Sequence, residues 1–226
     1  MTEAPAEDLA SAATVRMESR MLTEGVHFAA VGADLVVLDL RSDTYGCLPH
    51  AASALRIRGA SVEADVELLR FLTDAGFVGG ASRRSALPMP ALPVRIFKSR
   101  SGVASIAASA HLLVAVVKAR RLGPNPPIQA LIDALPRKPV IGRGNARVAA
   151  VTAAFTGLMP WVPGQGACLY RAYLLLFMLR CAGADAVWMF GVRTWPFSAH
   201  CWLQVGDAVL DDDPERVSRY TPIMAV

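Results

Sequence analysis

Apolar and polar positions alternate along VHFAAVGADLVVLDLRSDTYGCLP (26–49), with turn residues at intervals. The pattern predicts a strand over 26–31, a turn at Gly32-Ala33-Asp34, a second strand over 35–40 and a turn near Ser42-Asp43. HAASALRIRGA (50–60) suits a helix ending near Gly59. SVEADVELLRFLTDAGFV (61–78) suits another, with Ser61 as its N-cap, Glu63 in its first turn, Gly76 as its stop, and a short closing strand at Phe77-Val78. Farther along, helical spacing predicts helices at about 94–121, 126–135, 143–157 and 167–182. Shorter runs with β-branched or aromatic residues then predict strands at 186–192, 198–206 and 207–212.

Between the two sets lies GGASRRSALPMPALP (79–93), whose Gly, Ser, Arg and Pro content reads as a linker. The expected organisation is therefore an N-terminal domain over 1–82, with a disordered tail over about 1–20, a linker over 83–93, and a C-terminal domain over 94–226. Hairpin, helix, helix and closing strand describe a small winged-helix-like unit. Helices followed by an antiparallel sheet make the second unit α+β.

The chain has 226 residues, 54% of them hydrophobic and 19% charged, which describes a globular protein with a substantial core. Charge is uneven: residues 1–90 hold 8 Lys/Arg against 12 Asp/Glu, and residues 91–226 hold 15 against 7. The basic residues are scattered and lack interleaved aromatics, so they form no nucleic-acid-binding pattern. MTEAPAEDLASA (1–12) has neither the basic nor the apolar region of a secretory signal. SGVASIAASAHLLVAVVKARR (101–121) has too short an uncharged core for a membrane span and reads as a buried helix. Cys47, Cys168, Cys181 and Cys201 are irregularly spaced and form neither a disulfide framework nor a CxxC zinc pair. A cytoplasmic location with reduced thiols is expected.

Cys168 opens its helix just after Gly166 in GQGACLYRAYLLLFMLRCAG (164–183). Unsatisfied N–H groups and the positive dipole end favour a thiolate there, which a cysteine nucleophile needs. A buried packing role is the alternative, since free cysteines are often core residues. Of four histidines (His27, His50, His111, His200), only His200 lies in an element able to form a sheet against this helix. Cys on a helix start facing His on a strand is the papain-like or transglutaminase-like arrangement, in which imidazole takes the thiol proton and later protonates the leaving amine. An acid on the return strand AVLDDDPE should orient the imidazole; Asp211, Asp212 and Asp213 are candidates, and the register leaves the choice open. Cys201 should face away from His200 across the strand, and Cys181 sits about 220° around the helix from Cys168, so both read as packing. Gln165 is a candidate oxyanion donor. Arg171, one turn beyond Cys168, is a candidate for binding a substrate carbonyl or carboxylate, or simply a salt-bridge partner.

CLYRA (168–172) and FGVRTWPFSAHCWLQVGDAVLDDD (190–213) closely resemble the maturation proteases of lasso peptide biosynthesis, within the transglutaminase-like superfamily. That resemblance implies a Cys168–His200–Asp212 triad in a papain/transglutaminase-like cysteine protease domain. DLRSDTYGCLPHAASAL (39–55) and LLRFLTDAGFV (68–78) resemble a peptide-recognition element related to the chaperone of pyrroloquinoline quinone biosynthesis. In that family a leader peptide adds a strand to the hairpin sheet, which makes Val36, Leu38 and Leu40 candidate leader contacts. The implied function is removal of the leader from a lasso precursor, freeing the amine that an asparagine-synthetase-like partner uses to close a macrolactam. ATP dependence is also implied by the resemblance, but no GxxxxGK[ST] loop occurs and no nucleotide or metal residues are assigned. Peptide acyl transfer and a non-catalytic leader-binding scaffold are the alternatives.

Overall fold

The computed structural model describes residues 17–79, 89–99, 105–139, 144–163 and 167–226. The N-terminal part contains β1 (Met17–Met21), β2 (Val26–Val31), β3 (Asp34–Asp39), β4 (Thr44–Leu48), β5 (Leu55–Arg58), β6 (Ser61–Asp65) and α1 (Val66–Asp74). These form two antiparallel sheets, ordered β2-β3-β4 and β1-β6-β5. Phe28, Leu35, Val37, Leu55, Val62 and Leu72 share the core between them.

This unit departs from the expected hairpin with two helices. Residues 17–20 belong to β1 rather than to a tail, paired with β6. Residues 55–58 and 61–65 are an antiparallel pair, not helix, joined by a two-residue turn in which Gly59 has φ 61. Leu55 is buried while Arg56 and Arg58 are exposed, and Val62 and Ala64 are buried between half-buried neighbours, so the local period is two. The one helix begins later, capped by Asp65, which accepts from Leu68 N–H at 2.8 Å, and not by Ser61. Val78 does pair with Leu22, as an isolated bridge.

The C-terminal part runs β7 (Arg95–Ile96), α2 (Ile106–Arg121), α3 (Ile128–Ala134), α4 (Asn145–Leu158), α5 (Cys168–Cys181), β8 (Val187–Arg193), β9 (Ser198–Val205), β10 (Ala208–Leu210), α6 (Pro214–Val217) and β11 (Thr221–Ala225). The expected helix over 94–121 is thus a short strand followed by a later helix that Ser105 caps. β7 joins the sheet parallel to β10, giving the order β11-β8-β9-β10-β7. Residues 172–180 of α5 are all buried, as expected for a helix enclosed on every side. Trp188, Phe190, Val192, Cys201 and Leu203 share its core, while Met189, Trp202, Val209 and Val217 form a smaller core elsewhere. α2 buries only Leu112, Ala115 and Ala119, and leaves Ile106, Leu113, Val114 and Val117 exposed. Among the described residues no helix is long and apolar enough to cross a membrane.

β3 ties the two parts together. It is the middle strand of its sheet and is buried along its whole length. Leu35 and Val37 enter the N-terminal core, whereas Val36, Leu38 and Leu40 enter the core built around α5. The last three are 0%, 0% and 5% exposed, so they pack inside the molecule and present no edge to a peptide. Polar links follow the same seam: Asp43 accepts from the Ile128 N–H at 2.9 Å, and Trp195 Nε1 donates to Asp34 at 2.7 Å.

Candidate active site

Cys168 is the first residue of α5, and the N-cap Ala167 offers no side-chain acceptor to the first-turn N–H groups. β9 carries His200, and the segment after β10 carries Asp212. The three converge. His200 Nε2 lies 2.6 Å from Asp212 Oδ2, which leaves Nδ1 for the Cys168 side of the cleft. The His200 ring is flanked by Trp202, with centroids 6.2 Å apart, and by Tyr220 at 5.2 Å. Gly191, opposite His200 in β8, leaves room for both: a Cβ there would come within 2.9 Å of the Trp202 ring and of Tyr220.

The three neighbouring acids take three different roles. Asp211, in the left-handed region at φ 51, pairs with Arg171 at 2.5 Å. Asp212 turns to His200 and also accepts from the Asp213 N–H at 2.8 Å. Asp213 caps α6, accepting from the Glu215 N–H at 2.8 Å. Arg171 is therefore held by an acid and also lies over the Phe155 ring at 5.8 Å, the salt-bridge alternative to substrate binding. Its pairing ties the first turn of α5 to the residue beside Asp212. Gln165 lies outside the described residues.

Cys168, His200, Asp212, Ser198 and Tyr220 line a cleft of about 360 Å³. A larger cavity of about 750 Å³, between α2, α4 and the far end of α5, contains none of the triad candidates. A profile described as the transglutaminase-like superfamily matches residues 110–225, about half of the chain and the part that holds Cys168, His200 and Asp212. The chain belongs to the transglutaminase-like superfamily. The microcin J25-processing protein McjB of Escherichia coli is 36% identical over 59 residues, 26% of this chain and 28% of that protein. The chain thus matches a little over a quarter of that relative's length. No solved structure matches it.

In this superfamily member the charges at the site are set by contact. Cys168 is brought down to about 4 by hydrogen bonding from the Cys201 thiol, against the opposing effect of burial, with His200 and the Cys201 N–H adding to the lowering. Burial would lower His200, but the Asp212 and Cys168 hydrogen bonds outweigh it and raise the imidazole to about 9. Asp212, despite burial that raises it, is held below its usual value by His200, the Asp213 N–H and Arg216. Between those limits the resting pair is thiolate and imidazolium. Asp211 moves the other way, raised by burial against the pull of Arg171.

Sequence reasoning missed two neighbours of this site in the superfamily fold. Tyr45 of β4 packs its ring against Phe197, with centroids 5.5 Å apart, next to the start of β9. Burial first, then the charges at Cys201, Asp43 and Cys168, push its phenol up to about 12. Nothing local to Tyr45 signals this, because the contact crosses more than 120 positions of chain. Cys201 does leave β9 on the face opposite His200, as alternation predicts, but that face joins the core around α5, and its thiol helps to lower the Cys168 thiol. Cys47 and Cys181 are exposed, so Cys181 is not a core residue.

Proposed function

We propose that this chain is a cysteine peptidase that removes the leader from a lasso peptide precursor. The convergence of Cys168, His200 and Asp212 on one cleft, with Asp212 2.6 Å from the imidazole Nε2, is the observation that carries the reading. Likeness to a protein named for microcin J25 processing supports the choice of a peptide precursor as substrate. In the proposed reaction the Cys168 thiolate attacks the carbonyl of the last leader residue. The backbone N–H at the start of α5 meets the developing oxyanion. His200 protonates the departing amine of the core peptide, forming a thioester, and then removes a proton from the water that hydrolyses it. Asp212 holds the ring with Nδ1 toward the sulfur throughout.

An open sheet edge supports a place for the leader. β4 is a sheet edge with Thr44, Gly46 and Cys47 exposed, and among the described residues no strand pairs with its outer side. A leader added there as a strand would lie beside Tyr45 and Phe197, at the margin of the cleft. This replaces contact through Val36, Leu38 and Leu40. The released amine is then available to an asparagine-synthetase-like partner for macrolactam formation.

Cleavage of a synthetic precursor by the whole chain, followed by mass spectrometry, tests the reading. Cys168→Ala is expected to abolish cleavage while leader binding persists. Undiminished cleavage by that variant excludes Cys168 as nucleophile, and a product carrying a new amide in place of two fragments indicates acyl transfer.

A further inference from the structure

The β8–β9 ladder closes at Arg193 and Ser198, so the loop TWPF (194–197) projects beyond it, and the acyl chemistry asks nothing of that loop. It carries two large rings left bare at the surface, Trp195 at 75% exposed and Phe197 at 49%. Each ring is nevertheless fixed. Trp195 Nε1 donates to the buried Asp34 at 2.7 Å, and the Phe197 ring lies 5.5 Å from that of Tyr45. Trp195 also holds φ 51, a left-handed conformation that is costly for so bulky a residue. The Asp34 bond keeps it there, while the face of the ring meets solvent. The two anchor points run along β4. Asp34 also accepts from the His50 N–H at 3.0 Å, just past the end of that strand, whereas Tyr45 lies near its start. From Tyr45 to Leu48 the strand covers about 10 Å.

We propose that Trp195 and Phe197 form an aromatic wall beside β4 that selects a docked peptide by apolar side chains at alternate positions. This deepens the leader-binding reading above and rests on docking at β4. Tyr45 and Cys47 stand opposite Leu38 and Val36, so the four share one face, and Cys47 is exposed on it. The Phe197 ring meets that face at Tyr45, and Trp195 reaches the far end of the strand through Asp34. A strand added to the open edge of β4 turns every second side chain toward this face and the others away. The residues that face the wall gain by being apolar or aromatic. A carboxylate at the same place is stripped of water against two rings. Because the rings are anchored before the peptide arrives, little side-chain freedom is lost when it binds. The wall also adjoins the site of the cut, since Ser198 follows Phe197 and lines the cleft.

The test reads binding, so it stands apart from cleavage. A fluorescein-labelled synthetic precursor is titrated with the full-length Cys168→Ala chain and followed by anisotropy, and each leader residue is replaced in turn by aspartate. Within the five or so residues that β4 can pair, Kd is expected to rise roughly tenfold at alternate positions and to change little between them. When Trp195→Ala is added, the parent precursor is expected to bind roughly tenfold more weakly, and aspartate at one of the sensitive positions no longer weakens it further. A flat profile, or an unbroken run of sensitive positions, overturns the wall while leaving the dock in place. So does a profile that Trp195→Ala leaves unchanged. No binding of the parent precursor removes the dock on β4 and the wall with it. The aspartate scan decides even where Trp195→Ala fails to fold, and cleavage by the wild-type chain, measured separately, tests the peptidase reading on its own.

Discussion

Asp212 shows how little distance separates a candidate site residue from a structural one. Its neighbours on either side pair with Arg171 and cap α6, and only Asp212 meets the imidazole. Asp212→Asn keeps the size of the side chain but removes the charge that holds His200 protonated. The expected loss in kcat/KM is on the order of 10³-fold. In the wild type, kcat/KM should hold a plateau from about pH 4 to about pH 9. It should fall on the acid side as the Cys168 thiolate is protonated, and on the alkaline side as His200 loses the proton owed to the leaving amine. Iodoacetamide should label Cys168 far below the pH at which it labels Cys47, whose thiol burial pushes up. Equal labelling of the two across pH would remove the ion pair. Cys168 and His200 stand out as candidates in the sequence because their signals are local: a helix start after glycine, and a histidine in a strand that can face that helix. Among the three acids alternation leaves the choice open and the family resemblance alone points to Asp212, which is the one that meets His200.

At the level of elements, α5, β8 and β9 lie close to their expected limits because each is long enough to show its period. LRIR and SVEAD are only four and five residues long, and runs that short fit helix and strand templates equally well. Their pairing with each other and with β1 decides the matter, and that is a non-local fact. β7 and β11 escaped for a similar reason: one is two residues long, and the other carries Pro222 on an edge beside a bulge. Gly191, by contrast, has a role that only the packed sheet reveals. Gly191→Ala should cost about 1–3 kcal/mol, read as a lowered Tm, because Trp202 and Tyr220 must both move. Their displacement loosens the His200 ring, so kcat/KM should fall by more than the loss of folded protein explains. Loss of the Arg171–Asp211 tie in Arg171→Met should cost about 2 kcal/mol in denaturant unfolding, since the Asp211 carboxylate is left largely enclosed without its partner.

Across the whole molecule, the stretch 79–93 marks a change of composition, while the two cores on either side of it share a strand. β3 supplies side chains to both, and Asp34, Asp43 and Tyr45 reach from the N-terminal sheets to the helices and the β8–β9 hairpin. Sequence composition reports where the mix of residues changes; it does not report which strand face a distant helix will cover. Residues 89–226 expressed alone should therefore lack a cooperative thermal transition, with the surface that Val36, Leu38 and Leu40 cover left open to water. A sharp transition at the wild-type Tm would show that the C-terminal core is complete by itself.

The position of β4 carries a metric consequence. Its open edge and the Cys168 sulfur belong to one packed body, joined through Tyr45 and Phe197, so the path between them has a fixed length. An extended peptide advances about 3.3 Å per residue, so under the proposed docking the protein would work as a caliper, the bond being chosen by counting onward from the docked segment rather than by reading the residues at the bond. Two residues inserted in the leader between dock and cleavage point should move the cut by two residues toward the leader. Mass spectrometry of the fragments reads that displacement directly.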